Sequence, residues 1–391
     1  MTVKQQSSRL LSLDILRGIT IAGMILVNNP GSWGSIYAPL RHAEWNGLTP
    51  TDLVFPFFMF IMGISSYFSL RKFQFKLTKN LAWKIVKRTV LIYVIGLAIA
   101  WFSKFCYGLA GSDATLSLWE RIGNAANGFS SLRLVGVMPR LALCYFFASL
   151  VAVLMRHKFI PWLIGGILAL YAVILLVGHG YDFSHENIIY IVDNAILGEA
   201  HMYQGLVVDG KNIVFDPEGL LSTLPCIAHV LIGLMCGEAI MKTKDNHERI
   251  SDLFIVGTIL TFSGLLLSYG LPINKNIWSP TFVLTTCGLG ASLLGLLIWI
   301  IDIKGYKTWC RFFESFGINP LFLYVLGGVL GILFGSVSIA GVSIKGWIYA
   351  EAIQQIISEA CLASCIYAII FVIINWCIGY ILYKKKIYIK I

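Results

Sequence analysis

His42 is the residue of this chain best suited to carry chemistry. It lies in the stretch Arg41-His42-Ala43-Glu44-Trp45-Asn46-Gly47-Leu48-Thr49, with Asp52 shortly after it. An imidazole exchanges a proton near neutral pH more readily than other side chains, so it can serve as a general base. A histidine in a polar loop is also an ordinary surface group, and spacing alone leaves both readings standing. Asp52 has two compatible roles. Thr49-Pro50-Thr51-Asp52 has the form of a helix N-cap, a proline at the first helical position and an acidic capping-box partner. A carboxylate fixed in this way can also orient an imidazole.

Other polar residues recur at the ends of apolar blocks. Arg140 follows Pro139 at the start of one block. Asp216-Pro217-Glu218-Gly219 opens another, with Asp216 expected as its N-cap and Pro225 expected to kink the helix. His229 follows one turn later and should face the bundle interior, because an ionisable group facing lipid is costly. Asn274-Lys275-Asn276 fills a short turn before Ser279-Pro280, an ordinary helix start. Asp14 and Arg17 are spaced to pair on one helix face. Together, His42, Asn46, Asp52, Arg140, Asp216, Glu218 and Lys275 fall at one membrane surface. That grouping implies a polar cavity between helices, opening on that side. Residue types alone fit an enzyme or a transporter.

The elements that must position these residues are membrane helices. Apolar residues make up 57% of the 391-residue chain and charged residues 13%, against about 25% charged in soluble domains. The mean hydropathy is +0.77. The apolar residues come in blocks of about 18–23, long enough to cross a hydrocarbon layer of about 30 Å. Spans are expected near 13–29, 52–70, 85–103, 135–155, 159–178, 219–241, 252–270, 280–301, 316–334 and 360–383. The fold class is therefore all-α: a polytopic integral membrane helix bundle of about ten transmembrane helices, with residues 1–391 as one transmembrane domain.

Net charge is +10, and its distribution matters more than its sum in a membrane protein. With the termini on one side, that side carries 22 of the 30 lysines and arginines, and the other carries 8. The positive-inside rule makes the first side cytoplasmic, with both termini inside. The densest run, Arg71 to Arg88, reads as a topology signal and not as a nucleic-acid site. The nine cysteines show no zinc-type spacing and read as small buried hydrophobes. The first apolar run contains Asp14 and Arg17 and has no small-residue cleavage site after it, so it reads as a retained helix. Residues 179–218 form the longest outer segment, polar and aromatic, placed to cover an outward cavity or to be a solvated loop.

Several of these segments resemble the heparan-α-glucosaminide N-acetyltransferase family of membrane acetyltransferases. The resemblance rests on Leu13-Asp14-Ile15-Leu16-Arg17-Gly18, on the stretch from Arg41 to Thr49 continuing to Asp52-Leu53-Val54-Phe55-Pro56, and on Pro139-Arg140-Leu141-Ala142. It extends through Phe215-Asp216-Pro217-Glu218-Gly219-Leu220-Leu221, Leu271-Pro272-Ile273-Asn274-Lys275, Asn319-Pro320 and Tyr383-Lys384-Lys385-Lys386-Ile387. It covers nearly the whole membrane region. It implies acetyl transfer from acetyl-CoA to the amino group of a terminal glucosamine across the membrane. The family's active-site histidine falls on His42 and its nearby asparagine on Asn28.

From the resemblance, His42 is expected to act as general base or as an acetyl-carrying relay. Asn28 would donate to the thioester oxygen, and Asp52 or Glu44 would orient the imidazole. Arg140 and Lys275 would bind an anion, either a CoA phosphate or a substrate acid. Asn46, Asp216, Glu218 and Asn274 complete the expected substrate-binding set. The expected partners are acetyl-CoA as co-substrate, an amino sugar or glycan end, the lipid bilayer and a second copy in a homodimer, without metal or nucleic acid. The expected setting is a bacterial inner membrane with the acceptor site facing the periplasm. Lysosomal members carry an extra luminal domain and a helix before the core, whereas this chain starts almost at the core, which leaves the acceptor open. The rivals are an O-acyltransferase of a cell-envelope glycan and a sugar transporter or flippase without CoA chemistry.

Overall fold

The computed structural model describes residues 10–113, 115–243 and 245–389. Nine helices among them are long and apolar enough to cross a membrane. They are α1 (Leu11–Asn28), α2 (Val54–Arg71, entered through a 3-10 turn at Pro50–Leu53), α3 (Lys79–Ala110), α5 (Val137–Leu154), α6 (Ile160–Val177), α8 (Thr223–Lys242), α9 (Asn246–Leu267), α10 (Pro280–Leu297) and α14 (Ala360–Lys384). Between them lie α4 (Leu118–Ala126), α7 (Ile188–Leu197), α11 (Cys310–Ile318), α12 (Pro320–Ser336) and the single turn α13 (Ile344–Gly346). The chain is an integral membrane helix bundle.

A further apolar pair of helices is sharply bent: α11 and α12 meet at 88°. The sequence reading expected a continuous helix over 316–334. The break falls at Asn319, held out of the helical region by the proline that follows it. The buried Asn319 side chain then ties down the end of the chain. Its amide donates to the carbonyl of Ile387 at 2.9 Å, and its oxygen accepts from the N–H of Ile389 at 2.8 Å.

Two other expectations change. The third helix runs 32 residues, well beyond 85–103, and buries only Leu81, Ile85 and Ile92. It carries no charged residue between Thr89 and Ser103 and lies at the bundle's outside. The sixth span starts at Thr223, so Asp216 does not cap it, and Pro225 sits in its first turn. A proline there lacks only an N–H that has no helical partner anyway, so no kink is required.

Helices in lipid gain little from apolar burial against one another, so close backbone packing matters more. Two glycine pairs show this. Gly18 of α1 faces the carbonyl of Phe313, and Gly317 of α11 faces that of Asp14. Gly63 of α2 faces the carbonyl of Val230, and Gly233 of α8 that of Phe60. A methyl group at any of these positions would collide with backbone. Nearby, Arg17 reaches Asp14 at 2.9 Å, the pairing expected from their spacing.

Residues 179–218 are more than a solvated loop. They carry α7 and a short hairpin, Val207–Val208 paired with Lys211–Asn212. Part of this segment joins Trp45, Tyr171 and Ile277 in a second small core. That core fixes the loop bearing His42: the Trp45 indole N–H donates to the carbonyl of Tyr181 at 2.7 Å.

Candidate active site

His42 and Asp52 meet because the turn entering α2 folds back on the loop before it. The Asp52 carboxylate is fully buried and carries a full set of donors. One oxygen accepts from the N–H of Ala43 (3.1 Å), the N–H of Thr49 (3.1 Å) and the hydroxyl of Thr49 (2.9 Å). The other lies 2.6 Å from Nδ1 of His42. The capping box and the imidazole contact thus coexist, one on each carboxylate oxygen. His42 keeps about half of its side chain exposed, 47%. The Glu44 carboxylate makes no contact with the imidazole among the described residues.

Lys275 arrives from the turn between α9 and α10. Its Nζ lies 2.9 Å from Nδ1 and 3.2 Å from Nε2 of His42, and 3.5 Å from Asp52. Nδ1 cannot donate to Asp52 and accept from Lys275 at once. The consistent arrangement is Nδ1–H donating to the carboxylate, with the Nε2 lone pair turned toward the ammonium. The two loops are pinned together. Gly47 N–H donates to the carbonyl of Ile273 at 2.7 Å, and the Asn274 amide donates to the Asn46 side chain at 3.1 Å. Burial lowers the pKa of Lys275, against the opposing pull of the carboxylates of Asp52 and Glu218.

A second cluster stands beside it. Arg133 bridges Asp216 and Glu218, with N–O distances of 2.5 Å to each. Burial alone would raise the Glu218 carboxyl, but the guanidinium groups of Arg133 and Arg140 and the ammonium of Lys275 outweigh it and hold it below its ordinary value. Burial alone would likewise lower the Arg133 pKa, but Glu218 and Asp216 outweigh it and hold the guanidinium firmly charged. Asp216 also accepts from the N–H groups of Tyr203 and Glu218, which is the role it has in place of capping α8.

Arg133 lines a cavity of about 440 Å³ between α1, α3, α5, α12 and α14. The walls include Asn28, Asn29, Trp33, Tyr107, Tyr324 and Lys345. Along α3 the lining runs from Gly96 to Tyr107, a rise of about 16 Å, so the cavity reaches well into the bundle. The Asn28 side chain makes no hydrogen bond among the described residues, leaving its amide free toward this space. His42, Asp52 and Lys275 are not among the lining residues. Glu218 stands between the two groups: bound to Arg133 on one side, it acts on Lys275 on the other.

The whole chain aligns at 29% identity with the mouse (Mus musculus) heparan-alpha-glucosaminide N-acetyltransferase, over 62% of that protein's length. The human (Homo sapiens) protein of that name aligns at 28% identity over 81% of this chain and 52% of its own length. The chain is thus similar to heparan-alpha-glucosaminide N-acetyltransferases over most of its length. No family model matches the chain. It spans a little over half of the length of these curated relatives.

Arg140 has a place different from the one expected of an anion binder. It is buried, donates to Ser222 and to the carbonyl of Gly219 (3.0 Å), and stacks over Trp278 at 5.3 Å. It holds the Gly219–Ser222 turn from one side. From the other side, Asp193 accepts from the N–H groups of Leu220 and Leu221 at 3.0 Å. Burial pushes the Asp193 carboxyl up to about 6. His229 is buried, as expected, and its Nε2 lies 2.9 Å from the carbonyl of Pro56. The sequence reading did not single out Arg133, although an arginine between Leu132 and Leu134 at the edge of an apolar block carries its own signal. Trp33, Lys345 and Asp193 gave no comparable signal.

Proposed function

We propose that this protein is a transmembrane acetyltransferase that moves acetyl from acetyl-CoA to the amino group of a glucosamine-type sugar. The observation that carries this reading is the buried Asp52 carboxylate fixing the His42 imidazole, at the same end of the bundle as a deep cavity holding the free amide of Asn28. The similarity to these acetyltransferases supports the transfer class. The charge asymmetry supports an orientation with both termini cytoplasmic, so that His42 and the cavity mouth face the opposite compartment.

His42, with Nδ1–H on Asp52, takes a proton from the acceptor ammonium through Nε2 once Lys275 moves aside. The freed amine attacks the thioester carbonyl, and the Asn28 amide donates to the oxygen as it gains charge. Such a donor contributes about 3–4 kcal/mol to a transition state of this kind. The C–S bond breaks and the CoA thiolate leaves, His42 gives the proton it took from the ammonium to the sulfur, and the proton shed by the new amide nitrogen goes to solvent. In the relay version Nε2 itself attacks the thioester, and the acceptor then takes acetyl from the imidazole.

The deciding experiment supplies labelled acetyl-CoA and glucosamine to purified wild-type and His42→Ala protein. Transfer by the wild type that the variant loses is the expected result, and full transfer by the variant overturns the assignment. Acetyl-CoA alone tests the relay. An acetyl mass increment on the peptide holding His42 supports the two-step route, and its absence under turnover conditions supports the one-step route.

A further inference from the structure

The end of the bundle that carries the run from Arg71 to Arg88 holds cations with no neutralising partner in the chain. Lys84 and Arg88 lie one turn apart on α3, a spacing at which like charges repel. Residues 72–78 join α2 to α3 and bring a third cation to the same place. The charges that act on the Lys84 ammonium are those of Arg88 and Lys72, both of like sign. None of the three has an ion pair among the described residues. Glu238, a buried carboxylate near the same end of α2, is already shared by His157 at 3.0 Å and Lys242 at 2.7 Å.

Two of these cations are seated on aromatic rings. The Lys84 ammonium lies 5.0 Å from the centre of the Phe73 ring and 3.3 Å from the hydroxyl of Ser69, near the end of α2. The Arg88 guanidinium lies 4.7 Å from the ring of Tyr145, a buried residue of α5. The Nε of Arg88 is enclosed and donates to nothing, and its terminal nitrogens meet no acceptor among the described residues. A run of lysines that only marks orientation needs no such seats. The surroundings are those of a membrane boundary. Arg88 is the last charge before the uncharged stretch from Thr89 to Ser103. Trp83, beside Lys84, is 67% exposed, as suits a headgroup-level anchor. Leu91 follows Arg88 one turn on along the same helix face, with Val90 and Val94 beside it, and all three are exposed.

We propose that Lys72, Lys84 and Arg88, seated against Phe73 and Tyr145, form a binding site for the phosphate of an anionic diacyl phospholipid. The phosphate takes charge-assisted hydrogen bonds from the Arg88 terminal nitrogens and the Lys84 ammonium. The acyl chains run along the open apolar face of α3 past Leu91 and Val94. That face is the reason to assign the phosphate to a lipid and not to a soluble compound, which has no chains to lay on it. Basic pockets between membrane helices recognise headgroups in this way. The same charges also orient the chain on insertion, and the two roles are compatible. This site lies apart from His42 and its cavity, so it stands independently of the acetyltransferase reading.

The test titrates the purified full-length protein in neutral detergent with phosphatidylglycerol and, separately, with phosphatidylcholine, and counts adducts by native mass spectrometry. Wild type should bind phosphatidylglycerol saturably and about tenfold more tightly than phosphatidylcholine. Lys84→Gln and Arg88→Gln should each weaken that binding about fivefold. Arg88→Lys keeps the charge, and with it the membrane orientation, but loses the planar fork. Tyr145→Leu keeps every charge and removes the seat. Each should weaken binding about threefold, and these two variants carry the test if the glutamine variants fail to fold. A double variant, Lys384→Gln with Lys385→Gln, removes two exposed charges elsewhere and should bind as wild type does. Equal affinity of wild type for the two lipids overturns the site. So does wild-type binding by both Arg88→Lys and Tyr145→Leu, or a loss in the Lys384/Lys385 variant as large as in Arg88→Gln, since either outcome reduces the cluster to bulk charge. Inorganic phosphate and CoA are added as competitors. Neither should displace the lipid, and displacement by either one overturns the lipid assignment in favour of a soluble phosphate.

Discussion

Asp52→Asn separates the two jobs of one carboxylate. The wild-type oxygen facing the loop accepts from Ala43 N–H, Thr49 N–H and Thr49 hydroxyl. An asparagine carbonyl retains all three, so the turn into α2 should survive. The other atom becomes an NH₂ group facing Nδ1 of His42, formerly 2.6 Å from a carboxylate oxygen. Two donors cannot face each other, so the imidazole proton moves to Nε2 and the base is lost. Restoring the active tautomer leaves a donor unsatisfied, at about 1–3 kcal/mol. Losing the charge-assisted bond that steadies the imidazolium removes about 1.5–3 kcal/mol more. Together these, about 2.5–6 kcal/mol, predict a fall in kcat of about 10²- to 10⁴-fold, with little change in KM. The same replacement in the serine-protease triad costs about 10⁴ for the same tautomer reason. Steady-state transfer from acetyl-CoA to glucosamine reads the effect. Thr49→Val is the control: it weakens the cap by about 1 kcal/mol and should lower thermal stability while sparing kcat. If Asp52→Asn keeps kcat within tenfold of wild type in a folded protein, Asp52 is a helix cap and no more.

Asn28→Ala should reduce kcat about 10²- to 10³-fold without weakening acetyl-CoA binding, and a pure KM effect would remove Asn28 from the oxyanion role. Asp193 gives a pH signature. Its folded pKa of about 6, against an ordinary 3.8, means that its contribution is fully present below 3.8 and lost as pH rises through 6. The gap corresponds to about 3 kcal/mol. Asp193→Asn should therefore gain stability over wild type in detergent as pH rises from about 4 to about 6, with no further gain above that, and a difference independent of pH would refute the assignment. Arg133→Gln leaves Asp216 and Glu218 buried without their cation and should cost about 3–5 kcal/mol, read as a lowered thermal midpoint. Gly63→Ala should destabilise by about 1–3 kcal/mol through its clash with the carbonyl of Val230, and an unchanged midpoint would show that α2 and α8 can slide apart freely.

The membrane helices were legible because hydrocarbon thickness dictates the length of an apolar block. Their extensions were not. The added residues of α3, such as Lys79 and Lys84, lie beyond the apolar block and leave no trace in hydropathy. The Asn319-Pro320 break was written in the sequence, but an averaging window runs across it. At the candidate site, the Asp52 capping box could be read because all its parts lie within four residues. The approach of Lys275 could not. It depends on Asn46 meeting Asn274 and Gly47 meeting Ile273, side-chain and backbone pairings between distant loops that follow no period. Arg133 is hard to read for the reverse reason: its partners Asp216 and Glu218 already make sense locally, as the start of a helix.

Lys275 is where the one-step and two-step routes part. An ammonium against Nε2 blocks the lone pair that either route needs, so it must withdraw before chemistry. Its buried position already weakens its hold on a proton, and Glu218 lies near enough to draw the charge toward the Arg133 cluster. In the one-step route the acceptor ammonium takes its place beside Nε2, one cation exchanged for another. In the relay route nothing cationic replaces it before acetyl transfer, so removing the lysine should ease the first step. Lys275→Met should then raise the rate of acetyl-CoA hydrolysis without acceptor if the imidazole is acetylated. In the one-step route that rate stays unchanged, because no amine is present to attack.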